Sequence, residues 1–506
     1  MAPYTYIFSS TLLLNAAATF RSSKYWNKGQ SEAKLALDSS DMDEQKSKHS
    51  ALLKRYLAVY LLAAISDWLQ GPYVYALYDA YGYSQHIIAV LFVAGFGSSM
   101  VFGSFIGGLA DSCGRRKFTV LYAAIYAASC VTKHFKSFWV LMLGRILGGV
   151  ATSLLFSIFD SWLIRSHSDA GLSTFISKSF SAAAYGNSIV AICAGLLANK
   201  ASTGDMIPMF STDTKESALM WKGGYLNPFD IAFCALISCG LLASTLWEEN
   251  YGSDKIEDND DDTPRKSQPW YFAFTSALQA ITGSTEVLLC GLICSLFEGS
   301  MYVFVFMWTP AMKDLTKLAN PAFDGDLPFG LIFSTFMVCC MAGSSTFSVL
   351  MEKKVKVEVI GLGIFCVATC AFGLMAISNS DTITFLAFLL FEVCVGVYFP
   401  TMGTMKSVIV PENKRAAIYN LYRIPLNFIV LASLLTDLSY STSFIVCTVM
   451  LATAGGLQWK LIQEQEAKSR SVSSGDDEEA KQTAPLLSES KSDEDNIPLE
   501  NDGKEN

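Results

Sequence analysis

Two arginines and four carboxylates, Asp160 among them, stand inside apolar stretches of this chain. Arg145 falls within Leu141 to Arg165 (LMLGRILGGVATSLLFSIFDSWLIR), a run long enough to cross a bilayer as a helix. Arg423 lies in YRIPL, just before Pro425, and Asp67, Glu298 and Glu392 sit well inside other apolar segments. Guanidinium presents a planar fork of donors and keeps its charge when buried, so it suits an oxyanion or a carboxylate. Carboxylates supply countercharge or accept protons. Each such charge costs at least a few kcal/mol at the bilayer centre, so it faces a partner or a water-filled cavity. The histidines His49, His86, His134 and His167 lie near ends or loops, which leaves any proton coupling to the carboxylates. Trp68, Gln70, Tyr73 and Tyr398 could add donors or walls, although packing is the ordinary role of such aromatics.

The composition explains the setting. Of 506 residues, 51% are hydrophobic and 16% charged, which marks a many-span membrane protein rather than a soluble enzyme. The net charge of -9 says little about partners, because the acid gathers in 253–262 and 476–505. No nucleic-acid-binding patch is present, and the bilayer is the expected surroundings. Thirteen cysteines fall almost all in apolar runs without metal-ligand spacing, so they read as packing residues. Neither a nucleophile–base pair nor a metal cluster appears within the spans. No catalytic residue, metal site or cofactor is expected, and the protein is read as a non-enzyme.

Taken in order, residues 3–20 form a short apolar segment followed by Arg21, Lys24 and Lys28. Positive charge after the apolar part fits an uncleaved extra helix better than a signal peptide. Residues 1–51 thus hold this helix and a cytosolic linker. Six spans follow over 52–247, then an acidic loop over 248–285, six more spans over 286–462, and an acidic, disordered tail over 463–506. Lys and Arg favour one set of loops, which would place those loops and the C-terminus in the cytosol. Asp67 lies about twelve residues into the first core helix, roughly 18 Å deep, and Pro72 should loosen the helix just beyond it. Arg145 reaches a similar depth from the opposite surface, so the two are expected to pair.

The loop GGLADSCGRRK (107–117) is specific. Gly107 and Gly114 allow a tight, close-packed turn, Asp111 can accept from the backbone or from Arg115, and Arg115 and Arg116 mark one face. Its G-x-x-x-D-x-x-G-R-R spacing resembles the signature between the second and third helices of the major facilitator superfamily. Six spans, a long loop and six spans match that fold, and the halves echo each other. Asp67 answers to Glu298, and GRILGGV (144–150) aligns with FEVCVGV (391–397), setting Arg145 against Glu392. The expected fold is an all-α membrane protein of two six-helix bundles plus one extra N-terminal helix.

Segments DWLQGPYVYALY (67–78), GRILGGVATSLLFSIFDSW (144–162), WEENY (247–251), FEGSMYVFVFMWTP (297–310), EVCVGVYFPTM (392–402) and YRIPL (422–426) are similar to the molybdate-anion transporters of that superfamily. The resemblance implies uptake of molybdate, a tetrahedral dianion, by alternating access; the plasma membrane is the expected location. Composition and spacing by themselves reach only a carrier of an anion or polar solute, or a carrier-like receptor or scaffold whose acidic tail recruits cytosolic partners. Candidate substrate contacts are Asp67, Trp68, Gln70, Arg145, Glu298, Glu392 and Arg423. Candidate gating residues are Gly107, Asp111, Gly114, Arg115, Arg116 and Asp160. Asp160 lies about 22 Å further along the helix of Arg145, where it is expected to meet Arg115.

Overall fold

In a hydrocarbon environment a chain must satisfy its backbone polar groups internally, and helices do this within one segment. Nine of the described helices are long and apolar enough to cross a membrane. The computed structural model describes residues 4–13, 15, 39–103, 105–209, 218–252, 270–322, 326–411, 415–436 and 438–489, with the side chains of 39–42, 270–274, 415–417, 420 and 469–489 excepted.

The first half comprises α2 (Ser39–Gln70), α3 (Val74–Ala80), α4 (Gln85–Gly103), α5 (Ile106–Cys113), α6 (Arg115–Thr132), α7 (Phe138–Asp169), α8 (Ile176–Ala201) and α9 (Asn227–Leu246), preceded by α1 over 4–13. After α10 (Trp270–Gly283), the second half comprises α11 (Thr285–Ala319), α12 (Phe329–Glu352), α13 (Val357–Ile377), α14 (Asp381–Ile409), α15 (Arg415–Leu435) and α16 (Tyr440–Glu489). Counting α2–α3 and α4–α5 each as one broken span gives six spans in each half. Between α8 and α9, β1 (Ile207–Pro208) pairs antiparallel with β2 (Trp221–Lys222). Arg115, Arg116, Lys353 and Lys354 gather at one end of the bundle, its basic face; the opposite end is the far face.

Several local expectations meet the structure directly. Gly71–Tyr73 winds into a 3-10 turn with Pro72 in its first positions, so the first span breaks there. Where the extra span was expected the described residues hold a helix of only ten residues, α1, too short to cross by itself, and its Tyr4 packs edge-on against Phe385 at 5.2 Å. About 15 Å of helix covers half a bilayer core; residues 16–38 lie outside the described residues. At the other end α16 runs on to Glu489, past the expected boundary near 462. The segment after it, LIQEQEAKSR, is rich in strong helix formers, which carry the helix into polar sequence.

Packing within each half rests on close helix approach, as expected where lipid removes the hydrophobic drive between helices. A Cβ on Gly149 would fall 2.0 Å from Ser98 Oγ and 2.2 Å from the Gly95 carbonyl oxygen, so α7 lies directly on α4. A Cβ on Gly396, its counterpart in the FEVCVGV alignment, would fall 1.9 Å from the Cys340 carbonyl oxygen, so α14 lies directly on α12. A serine completes each contact: Ser98 Oγ donates to Ile146 O at 3.2 Å, and Ser344 Oγ donates to Gly396 O at 3.0 Å. The two halves therefore repeat one packing device at corresponding positions.

Contacts between the halves gather toward the far face. Tyr73 Oη accepts from Ser202 Oγ at 2.7 Å and from the Gly330 N–H at 3.3 Å. Ser334 Oγ donates to Ile192 O at 3.0 Å, and Lys313 pairs with Asp79 at 2.5 Å. The far face is closed by these contacts.

Candidate functional site

The polar interior divides between the halves. In the first half, Tyr126 Oη donates to Asp67 Oδ1 at 2.5 Å, and Trp68 Nε1 donates to Asn187 Oδ1 at 2.9 Å. Gln70 is buried and its Nε2 donates to Ser66 O of its own helix at 2.9 Å. Arg145 turns toward α4, where its Nε donates to Leu91 O at 3.2 Å and its guanidinium lies 4.6 Å from the Phe92 ring centroid. The absence of a side chain at Gly95 makes the room, since a Cβ there would stand 2.6 Å from Arg145 Nη2. The expected Asp67–Arg145 pair does not form. Counting residues matched their depths, but the two side chains leave their helices in different directions.

In the second half a cavity of about 310 Å³ opens among α11, α14 and α15, lined by Cys294, Glu298, Lys406, Tyr419, Tyr422 and Arg423, with Ser295 and Leu426. Glu298 Oε1 accepts from Tyr398 Oη at 3.1 Å and lies 3.6 Å from Lys406 Nζ. Lys406 also stands 5.5 Å over the Tyr419 ring. The Arg423 side chain is exposed within this region and reaches the other half: a Cβ built on Gly103 would lie 3.6 Å from its Nη1. Tyr422 forms a fixed wall, its hydroxyl donating to Val287 O at 2.5 Å and its ring lying against Gly291. Two cations and one carboxylate leave the cavity net positive.

Of the seven expected substrate contacts, then, only Glu298 and Arg423 meet in this cavity. Glu392 is buried at 7% exposure within α14 and does not line it. Lys406 was not legible as a site residue, because a lysine in the last turn of an apolar helix reads as an interfacial charge. Its spacing holds a signal: it follows Tyr398 by eight residues, which puts both on one face of α14.

At the basic face, a strap after α9 ties the first half together. Gly114 adopts φ +112 between α5 and α6, and a Cβ there would meet the Glu249 carboxylate carbon at 2.7 Å. Glu249 Oε1 accepts from the Arg116 N–H at 2.8 Å, Asn250 O accepts from the Arg115 N–H at 3.1 Å, and Asn250 Nδ2 donates to Trp162 O at 3.1 Å. Trp162 stacks on Trp247 with centroids 4.0 Å apart. Asp111 binds Arg115 at 2.7 Å, and Arg115 Nη1 donates to Ser161 O at 3.1 Å. Two expectations change here. Gly107 lies inside α5 with open space where a Cβ would be, so only Gly114 is demanded by the turn. Asp160 is exposed and does not meet Arg115, whose guanidinium is already taken one helical turn away by Asp111.

Two helical bundles, a net-positive cavity and a closed far face define a carrier of the major facilitator fold. Solved structures agree on the fold. The nucleoside transporter NupG aligns over 82% of this chain and 98% of its own with a TM-score of 0.57 at 11% identity. A bacterial homolog of the human lysosomal transporter Spinster aligns over 82% and 97% with a TM-score of 0.60 at 13% identity. A family model described as sugar transporters with twelve transmembrane segments matches residues 30–384, and the Major Facilitator Superfamily model matches 325–493. Molybdate-anion transporters of Xenopus tropicalis and Takifugu rubripes are 30% and 31% identical, over 79% and 75% of this chain and 83% and 78% of theirs. The chain belongs to the molybdate-anion transporter family of the major facilitator superfamily, a family of multi-pass carriers rather than enzymes.

Proposed function

We propose that this carrier takes up molybdate by alternating access, with Lys406 and Arg423 as the oxyanion contacts. The observation that carries the reading is the pairing of these two cations in one cavity against a single carboxylate. A tetrahedral dianion needs fixed positive charge, and a guanidinium fork matches two of its oxygens. The names of the relatives point to the same solute. With the basic face cytosolic by its lysines and arginines, the closed far face is the outer one, and uptake into the cell requires the plasma membrane as its site. The test is uptake of labelled molybdate into cells expressing the protein, competed with tungstate and sulfate. Saturable uptake, lost in Lys406→Met at equal surface expression, is the expected result.

A second reading has its own observation. About 310 Å³ has room for roughly ten waters, more than a bare tetrahedral ion fills. The cavity would also admit a polar organic anion held by the same cations and the Tyr419 ring. Strong competition by small organic anions, with weak competition by tungstate, would favour it.

A further inference from the structure

Glu298 is an odd neighbour for an anion site. It adds negative charge to the wall of a cavity that the two cations make attractive, and its Oε1 faces both Tyr398 Oη and Lys406 Nζ. Its side chain and that of Lys406 are about one-fifth exposed, 23% and 21%, so an anion entering the cavity can reach both. Tyr398 is fully buried and stacked on Phe297 at 3.9 Å, which fixes the hydroxyl that steers the carboxylate.

We infer that Glu298 is a tethered competitor of the substrate. In the empty carrier its carboxylate engages Lys406. An incoming dianion, held also by Arg423, displaces it, and the carboxylate falls back on Tyr398. Its return to Lys406 then helps to expel the anion. A carrier needs such a device because a site that binds too well does not release. The same competitor lowers the positive field of the empty cavity, so that chloride does not reside there. A tethered group acts at high effective concentration, so no free anion need be present for it to work. If the carboxylate holds Lys406 about nine-tenths of the time, the apparent dissociation constant is raised about tenfold.

This inference rests on the oxyanion reading above and makes an opposite demand on the residue. A direct ligand, when removed, weakens binding; a competitor, when removed, tightens it. The test is labelled molybdate uptake by wild type and Glu298→Gln in gluconate and in chloride medium, normalised to surface expression. The variant is expected to show a half-saturation concentration about tenfold lower in gluconate, a reduced maximal rate, and competitive inhibition by chloride that wild type does not show. Glu298→Ala, read in the same way, replaces the Gln variant if that one fails to reach the membrane. Wild-type uptake with an unchanged or raised half-saturation in the variant overturns the competitor role alone. Loss of accumulation with normal exchange and unchanged affinity also overturns it, assigning Glu298 to coupling instead. No oxyanion uptake by wild type overturns the oxyanion reading, and this inference with it.

Discussion

Tyr126 donates a 2.5 Å hydrogen bond to Asp67, while Arg145 lies against α4 on the Leu91 carbonyl and the Phe92 ring. The first-helix acid is thus satisfied by a phenol and the fourth-span arginine by backbone and an aromatic face. Their substitutions should be independent, since groups without shared partners add within about 0.5 kcal/mol. Tyr126→Phe should cost about 1–3 kcal/mol by leaving a carboxylate without its donor. Melting of purified Asp67→Asn, Arg145→Gln and the double variant checks this; a double variant milder than the sum would mean that the two couple in another conformation.

Arg423 and Lys406 should respond differently to conservative change. Arg423→Lys keeps charge but loses the fork, so the molybdate half-saturation should rise about tenfold or more with expression intact. Lys406→Arg keeps charge and should do less harm, its cost arising from bulk beside the Tyr419 ring. Uptake kinetics of the two variants decide the matter, and wild-type kinetics in Arg423→Lys would remove it from the anion site.

The strap predicts a stability effect separate from transport. Gly114→Ala places a side chain at a positive φ and against the Glu249 carboxylate, so it should cost about 1–3 kcal/mol. Glu249→Gln keeps most of the shape but weakens the bond to the Arg116 N–H, and should cost less. Detergent-solubilised melting temperatures should rank wild type above Glu249→Gln above Gly114→Ala; equal values would show that the turn tolerates rearrangement.

His134 gives a pH dependence at the far face. Its Nδ1 faces Trp221 O at 2.8 Å and its Nε2 faces Asp230 Oδ1 at 2.9 Å, both acceptors, so only the imidazolium satisfies the two together. The Asp230 hydrogen bond raises its pKa above the usual value, against the opposing effect of burial. A raised folded value means stabilisation present in full below about pH 6.5 and lost as pH climbs through the folded pKa. The melting gap between wild type and His134→Gln should therefore be widest in acid and narrow toward alkaline pH. A gap that widened with pH would reverse the assignment.

Particular residues show what could be read from the chain. The alignment of GRILGGV with FEVCVGV anticipated the paired contacts of Gly149 and Gly396, because close approach leaves a small residue at a fixed offset. Pro72 marked the helix break, and the Asp111–Arg115 spacing marked a local ion pair. What was not legible depends on the direction in which a side chain leaves its helix. Depth follows from counting at 1.5 Å per residue, but direction depends on how tilted helices meet, which is why Asp67 and Arg145 matched on paper only. Neither Tyr126 nor Lys406 stands out in the sequence, where an aromatic in an apolar run and a lysine near a helix end are ordinary. Neither reveals its partner until α6 and α14 are placed beside α2 and α11.

The closure of the far face joins two kinds of contact. Tyr73, Ser202 and Gly330 share a buried hydrogen-bond cluster, whereas Asp79 and Lys313 meet at the rim with side chains 42% and 25% exposed. Mobile ions screen the second kind and hardly touch the first. On the alternating-access proposal, the resting balance between closed and open forms would answer to the salinity of the fluid bathing that side. In concentrated brine the rim would loosen while the buried cluster still held, so a change of medium could alter how often the carrier opens without altering what it recognises.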